Sequence, residues 1–155
     1  MAHSWINAVY DRTAADLVYG NSKGNLSYTD LNRIENNIEH LLEKYVANNI
    51  PCSISPGGHE RNWTRSSYLR LSMFNTIKQE IMAIRATGYI RTNTPTLKNS
   101  VYGDSYSFQE INDMEKILAD AKMIIDAVEA IKKSQRVLGA FTLSQYDTNQ
   151  KIRHT

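Results

Sequence analysis

The sequence has a single cysteine, Cys52, so no disulfide can join two parts of the chain. It has three prolines and seven glycines in 155 residues, which excludes collagen-like repeats and low-complexity linkers. No apolar run approaches the roughly 18 residues that a membrane span requires. The opening residues, Met1-Ala2-His3-Ser4-Trp5, carry neither the basic nor the apolar stretch of a secretory leader. These absences point to a soluble chain made in the cytoplasm. The net charge of +2 is too small to mark a nucleic-acid binder by itself. Phenylalanine is also scarce, with three residues against nine tyrosines. Tyrosine pairs an apolar body with a polar tip, so it suits half-buried contacts and interfaces.

The patterns that carry chemistry are missing as well. His3, His40, His59 and His154 are not at metal-ligand spacing from one another, from Cys52 or from an acid pair. His40 falls on the polar side of a helix and reads as a solvated residue. Cys52 has no nearby basic partner to make it a thiolate. There is no nucleophile elbow, P-loop or dinucleotide fingerprint. Pro56-Gly57-Gly58-His59-Glu60 reads as a tight turn. The sequence therefore assigns no catalytic, cofactor-binding or metal residue, and the reading is of a non-enzyme without cofactors.

Three segments do show helical periodicity. Leu31, Ile34, Ile38, Leu41 and Tyr45 alternate by three and four residues, which lines one helix face over about 28–48. Asn48, Asn49 and Pro51 end that segment, because proline breaks the hydrogen-bond ladder. Phe74, Ile77, Ile81 and Ile84 predict a second helix over about 72–86, with Gly88 as a left-handed cap. Ile111, Met114, Leu118, Ala121, Ile125 and Val128 predict a third over about 108–137, and Ile117, Ile124 and Ile131 add a line seven residues apart. A helix that long, with such a stripe, calls for helical partners along its length.

The fold class is thus mainly α: three amphipathic helices in an elongated bundle with long irregular connections. One domain covers 1–155, with irregular extensions at 1–26 and 138–155. A short helix near Thr13–Tyr19 is expected in the first of these. The connections, about 49–71 and 89–106, carry Trp63, Tyr68, Tyr89, Tyr102 and Tyr106. Connections near 20 residues are uncommon in compact domains. Their length and aromatics suggest surfaces that order against something else.

The chain also repeats itself. Ser27 to Glu35 matches Ser107 to Glu115 at a constant offset of 80 residues, as Ser-aromatic-x-acid-aliphatic-Asn-x-apolar-Glu. Serine followed by an acid three residues on is a capping box, which serves the free N–H groups of a first helical turn. The Asn32/Glu35 and Asn112/Glu115 pairs share a helix edge. Capping does not require them, so either they are solvated or each holds the backbone of an incoming loop.

Charge is unevenly spread. Residues 1–50 carry −2, residues 51–100 carry +5 and residues 101–155 carry −1. The basic segment 61–98, interleaved with Trp63 and Tyr68, raises the alternative of a helical regulatory or nucleic-acid-binding module. The acidic flanks offer those cations partners in the same chain or a neighbouring subunit, and nucleic acid is the less favoured partner.

Four strings then fall in a recognisable order. They are Tyr10-Asp11-Arg12-Thr13-Ala14-Ala15-Asp16, Tyr28 to Asn37, Trp63-Thr64-Arg65-Ser66, and Phe108 to Leu118 with Asn112, Glu115, Lys116 and Ile117 in register. Together they resemble a family of tail-associated minor structural proteins from phages and prophages of low-GC Gram-positive bacteria. The likeness covers about 5–130. It departs at Ser67-Tyr68-Leu69, where the family has Asp-Phe-Pro, and it fades beyond Val137. The resemblance implies a virion component of a tail or tail-like particle, synthesised in the host cytoplasm, and brings no catalytic residue. It makes other tail and baseplate proteins, and further copies of the chain, the expected partners, with no membrane. The interface candidates are Trp5, Asp11, Arg12 and Thr13 at the N-terminus, Trp63, Arg65 and Tyr68 before the second helix, and the edges Asn32/Glu35 and Asn112/Glu115. For Trp5 and Trp63 a plainer role, capping the helical core, is the alternative.

Overall fold

A computed structural model describes residues 2–18, 23, 25–102 and 107–152, with side chains as far as Val137. It is mainly helical: α1 (Ala14–Val18), α2 (Tyr28–Ala47), α3 (Leu71–Ala86) and α4 (Phe108–Ile152). There is no strand among the described residues. No helix is long and apolar enough to cross a membrane among those residues.

The local signals act as their chemistry requires. The Ser27 hydroxyl accepts from the Asp30 N–H and the Asp30 carboxylate accepts from the Ser27 N–H, a complete capping box for α2. The corresponding Ser107 hydroxyl accepts from the Glu110 N–H. Gly88 takes φ +77° after α3, the left-handed conformation in which a side chain is strained. The short helix expected near Thr13–Tyr19 is α1; Tyr19 lies outside the described residues.

The three long helices pack on one another through matched rows. Leu31, Ile34, Ile38 and Leu41 of α2, Phe74, Ile77, Ile81 and Ile84 of α3, and Ile111, Met114, Leu118 and Ala121 of α4 are all buried. Fully burying one such large aliphatic or aromatic side chain is worth about 1.5–3 kcal/mol. Trp63 joins this core, and Trp5 packs against it, half-buried.

The helices run parallel. Arg33 near the start of α2 reaches Glu115 near the start of α4, and Lys44 near the end of α2 reaches Glu129 of α4. On the other side, Lys78 of α3 pairs with Glu110 of α4, while Thr94, beyond the end of α3, meets Asp120. Parallel neighbours force the chain to return along the bundle before each new helix. A 20-residue helix is about 30 Å long, and an extended residue covers at most about 3.5 Å, so the return takes at least about nine residues. This geometry accounts for the long connections. The described parts of both connections are held against the chain's own helices.

The last helix departs from expectation. The sequence predicts an end near 137, with an irregular segment after it, but α4 continues through Gly139 to Ile152. A single helical glycine costs only about 1 kcal/mol relative to alanine, too little to stop a long helix. Lys132 makes the last described contact to α2, through the Asn48 carbonyl.

Candidate functional site

Extended chain carries N–H and C=O groups that need partners when they are buried. A carboxamide offers one donor and one acceptor side by side, so it can pair with both groups of a single residue. Asparagines in the helices do this repeatedly. Asn32 of α2 accepts the Trp63 N–H at 2.7 Å and donates to the Trp63 carbonyl at 2.9 Å. Asn112 of α4 accepts the Arg12 N–H at 3.1 Å and donates to the Arg12 carbonyl at 2.8 Å. Asn75 of α3 holds Ser100 in the same way, at 2.8 and 2.9 Å. Asn37, further along α2, holds Ile6 at 2.9 and 2.7 Å.

The residue one turn after each of the first three asparagines completes the clamp. Glu35 accepts the Arg61 N–H at 2.7 Å and pairs with the Arg61 guanidinium. Glu115 accepts the Val9 N–H at 2.6 Å and pairs with the Arg12 guanidinium at 2.9 Å. Lys78 donates to the Ser100 hydroxyl at 2.9 Å.

A cation at each clamp then reaches the next helix. Arg61 ties Glu35 of α2 to Glu80 of α3. Lys78 ties α3 to Glu110 of α4. Arg12 ties Glu115 of α4 to Asp30 of α2. The bundle is therefore a threefold repeat of one unit, an extended segment followed by a helix, closed in a ring by three buried or half-buried cations. The offset-80 repeat marked two of the three units.

These charges depend on their partners. Burial pushes the Asp30 carboxyl up, but the Ser27 hydroxyl, the Ser27 N–H and the Arg33 guanidinium bring it below the usual value. Burial works against the Arg33 charge, and Glu115 and Asp30 outweigh it, so its pKa is raised. An unpaired charge at such a site costs several kcal/mol, about 3–5 when one partner is removed.

The sequence-derived candidates divide into two groups. Asn32, Glu35, Asn112, Glu115, Arg12 and Trp63 are brought together as clamps and clamped segments within the chain. The loop-holding reading of the two repeated edges is what the structure contains. Thr13 caps α1 through the Asp16 carboxylate, at 2.7 Å from its N–H and 2.9 Å from its hydroxyl. Asp11 is exposed and pairs with Lys23 at 2.9 Å. Trp5 stands edge-on to His40, with Lys122 over its ring at 5.6 Å. Arg65 and Tyr68 face solvent, Tyr68 at 81% exposure, and join no clamp.

Sequence reasoning missed Arg33, Asn37, Arg61, Asn75, Lys78 and Glu80. The available signal was asparagine inside helices, where its propensity is poor. His40, expected to be solvated, is half-buried, and its Nδ1 meets the His3 carbonyl at 2.7 Å.

No group of three or more His, Cys, Asp or Glu side chains stands ready to hold a metal ion among the described residues. The arrangement holds chain segments in place by hydrogen bonds and charge. Comparison with known protein families, curated proteins and solved structures finds no match to this chain.

Proposed function

We propose that this chain is a non-enzymatic structural subunit of a phage tail or tail-like particle, an adaptor near the baseplate or the fibre attachment. The observation that supports it most is the overhang of α4. The helix runs about 20 residues past Lys132, its last described contact with α2. That is a projection of about 30 Å. Ile131 and Val137, where the helix leaves the bundle, are 57% and 64% exposed. An isolated helix of this length is marginal in water, and most helical stability comes from tertiary packing. Packing against neighbouring chains supplies it.

Two further features favour the reading. The clamps fix the described extended segments from within, which suits a rigid part carrying load between neighbours. The exposed Arg65 and Tyr68 lie in the turn leading to α3, and Arg65 borders a surface pocket of about 370 Å³ with Tyr28 and Trp63. Arginine and tyrosine are enriched in protein interfaces. The order of the four sequence strings agrees with a tail component. In this reading the chain resides in the virion, and its partners are other tail and baseplate proteins and further copies of itself.

The nucleic-acid alternative is weaker on the same geometry. Arg61 and Lys78 are engaged with carboxylates, and Arg85 donates to the Thr94 and Pro95 carbonyls. The basic segment 61–98 therefore offers fewer free cations than its composition suggests. Light scattering of the pure chain and protein identification in purified particles test the proposal. A stable oligomer, or co-purification with tail proteins, is expected; a strict monomer absent from particles contradicts it.

A further inference from the structure

The first clamped segment begins at a histidine with a carboxylate at each ring nitrogen. His3 Nδ1 lies 2.7 Å from Glu43 Oε1 of α2, and Nε2 lies 3.2 Å from Glu60 Oε2 of the connection between α2 and α3. The residue before Glu60 is placed the same way. His59 Nδ1 lies 3.1 Å from Glu80 Oε1 of α3, and Nε2 lies 2.9 Å from the Ser55 carbonyl. Carboxylates and carbonyls only accept, and a neutral imidazole has a single N–H. Each ring can therefore serve both of its neighbours only as imidazolium. His40 is different: an N–H at Nδ1 alone satisfies its contact with the His3 carbonyl.

We propose that His3 and His59 form a proton-controlled fastener. Protonated, they hold residues 2–6 and the turn 55–60 to α2 and α3; deprotonated, they let both loosen while the rest of the bundle stays closed. The dipeptide His59-Glu60 couples the two points, since His59 faces α3 and Glu60 faces the N-terminal segment. Without the histidines Ile6 becomes the outermost joint of the N-terminal segment, held by Asn37 alone, and the Gly57 N–H keeps only Glu39, so both open more readily; loosening stops at Val9 and Arg12, which Asn112, Glu115 and Asp30 hold within the ring of clamps.

The surrounding charges support this assignment. Around His3 stand Glu43 and His40 of α2 and Glu60 of the connection, with Lys44 on the same surface pocket. Around His59 stand Glu80 of α3, Glu39 of α2, which accepts the His59 N–H at 2.8 Å, and Arg61, which shares Glu80 at 2.9 Å. The Glu43 hydrogen bond, outweighing burial, holds His3 above its ordinary pKa of 6.5. Burial pulls His59 down, but the Ser55 carbonyl and Glu80 raise it above the same value. A histidine raised on folding stabilises fully below 6.5 and loses that contribution as pH rises through its folded pKa.

Amide hydrogen exchange followed by NMR on the full chain, expressed as protection factors at pH 6 and pH 8.5, tests the fastener. The Ile6 and Gly57 amides are expected to lose protection several-fold at the higher pH, with Val9 and Arg12 unchanged. In His3→Gln, Ile6 is expected at the low level at both pH values. Equal protection of wild-type Ile6 at the two pH values overturns the proposal, as does a pH-dependent Ile6 in His3→Gln. Glu60→Gln, a substitution at a partly exposed surface position, is expected to lower the titration midpoint of His3; an unmoved midpoint also overturns it.

Discussion

Asn112 holds Arg12 by both backbone groups, accepting its N–H at 3.1 Å and donating to its carbonyl at 2.8 Å, a hundred residues apart in the chain. The Arg12 side chain then leaves α4 for Asp30 of α2. One residue thus fixes a segment to one helix and that helix to another. The relationship recurs at Asn32 with Trp63 and Arg61, and at Asn75 with Ser100 and Lys78, so the fold is a ring of three equivalent joints.

Asn112→Ala leaves the Arg12 N–H and carbonyl buried and unpaired. It is expected to destabilise the chain by about 2 kcal/mol, the cost of stranding buried polar groups. Asn32→Ala is expected to cost a similar amount at Trp63. The two clamps share no partner, so the double variant is expected to add within about 0.5 kcal/mol. Urea unfolding by circular dichroism measures all three.

Arg12→Met removes the cation between Glu115 and Asp30. Both carboxylates keep Arg33, which lies 2.7 Å from Glu115 Oε1. The expected loss is therefore near the lower end for a broken buried pair, about 3 kcal/mol. Adding Glu115→Gln is expected to cost less than the sum of the single changes, because the two groups belong to one network. The same unfolding measurement decides.

Stability is expected to peak in weakly acidic solution. The Asp30, Glu43 and Glu129 carboxyls have lowered folded pKa values: the Asp30 and Glu43 shifts overcome burial through their hydrogen bonds and ion pairs, and Glu129 is held down by Lys44. Their contribution is complete above the ordinary values of 3.8 and 4.5 and is lost as pH falls through the lower folded values. His3 and His59 act in the opposite sense, complete below 6.5 and lost as pH rises. Thermal melts across pH 3 to 9 are expected to show a maximum between about 4.5 and 6.5. A melting temperature still rising from pH 7 to 9 contradicts the histidine contribution.

Arg65→Ala separates folding from assembly. Arg65 is exposed and outside the ring of joints, so its loss is expected to change folding stability by no more than about 0.5 kcal/mol. Incorporation into particles is expected to fall. Equal loss of folding and incorporation would make Arg65 a folding residue.

The helices were legible because their apolar spacing is a direct imprint of burial: Leu31, Ile34, Ile38 and Leu41 lie on the face that the core covers. Direction was not legible, since spacing identifies a face and says nothing of which way a neighbour runs. The long connections held that information, because a return of about 30 Å needs at least about nine extended residues. Two joints were visible as the offset-80 repeat. The third was hidden because Lys78 stands where the others have glutamate, and because Arg70, the residue that caps α3, offers no side-chain hydrogen bond to its first turn. Asn75 inside a helix was the remaining trace. Gly139 does not end α4, because a glycine ends a helix where the backbone turns left-handed, as at Gly88.

We propose this bundle, with its projecting α4, as a built-in part of a tail. The most direct measurement is electron cryomicroscopy of purified tail particles from the source strain, with a tag fused after Thr155 to mark the chain. Ordered density for the three-helix ring is expected at a fixed place on the tail, in a constant number of copies, with α4 packed against neighbouring chains. Particles that lack the chain, with the protein recovered only as a free monomer, would contradict it.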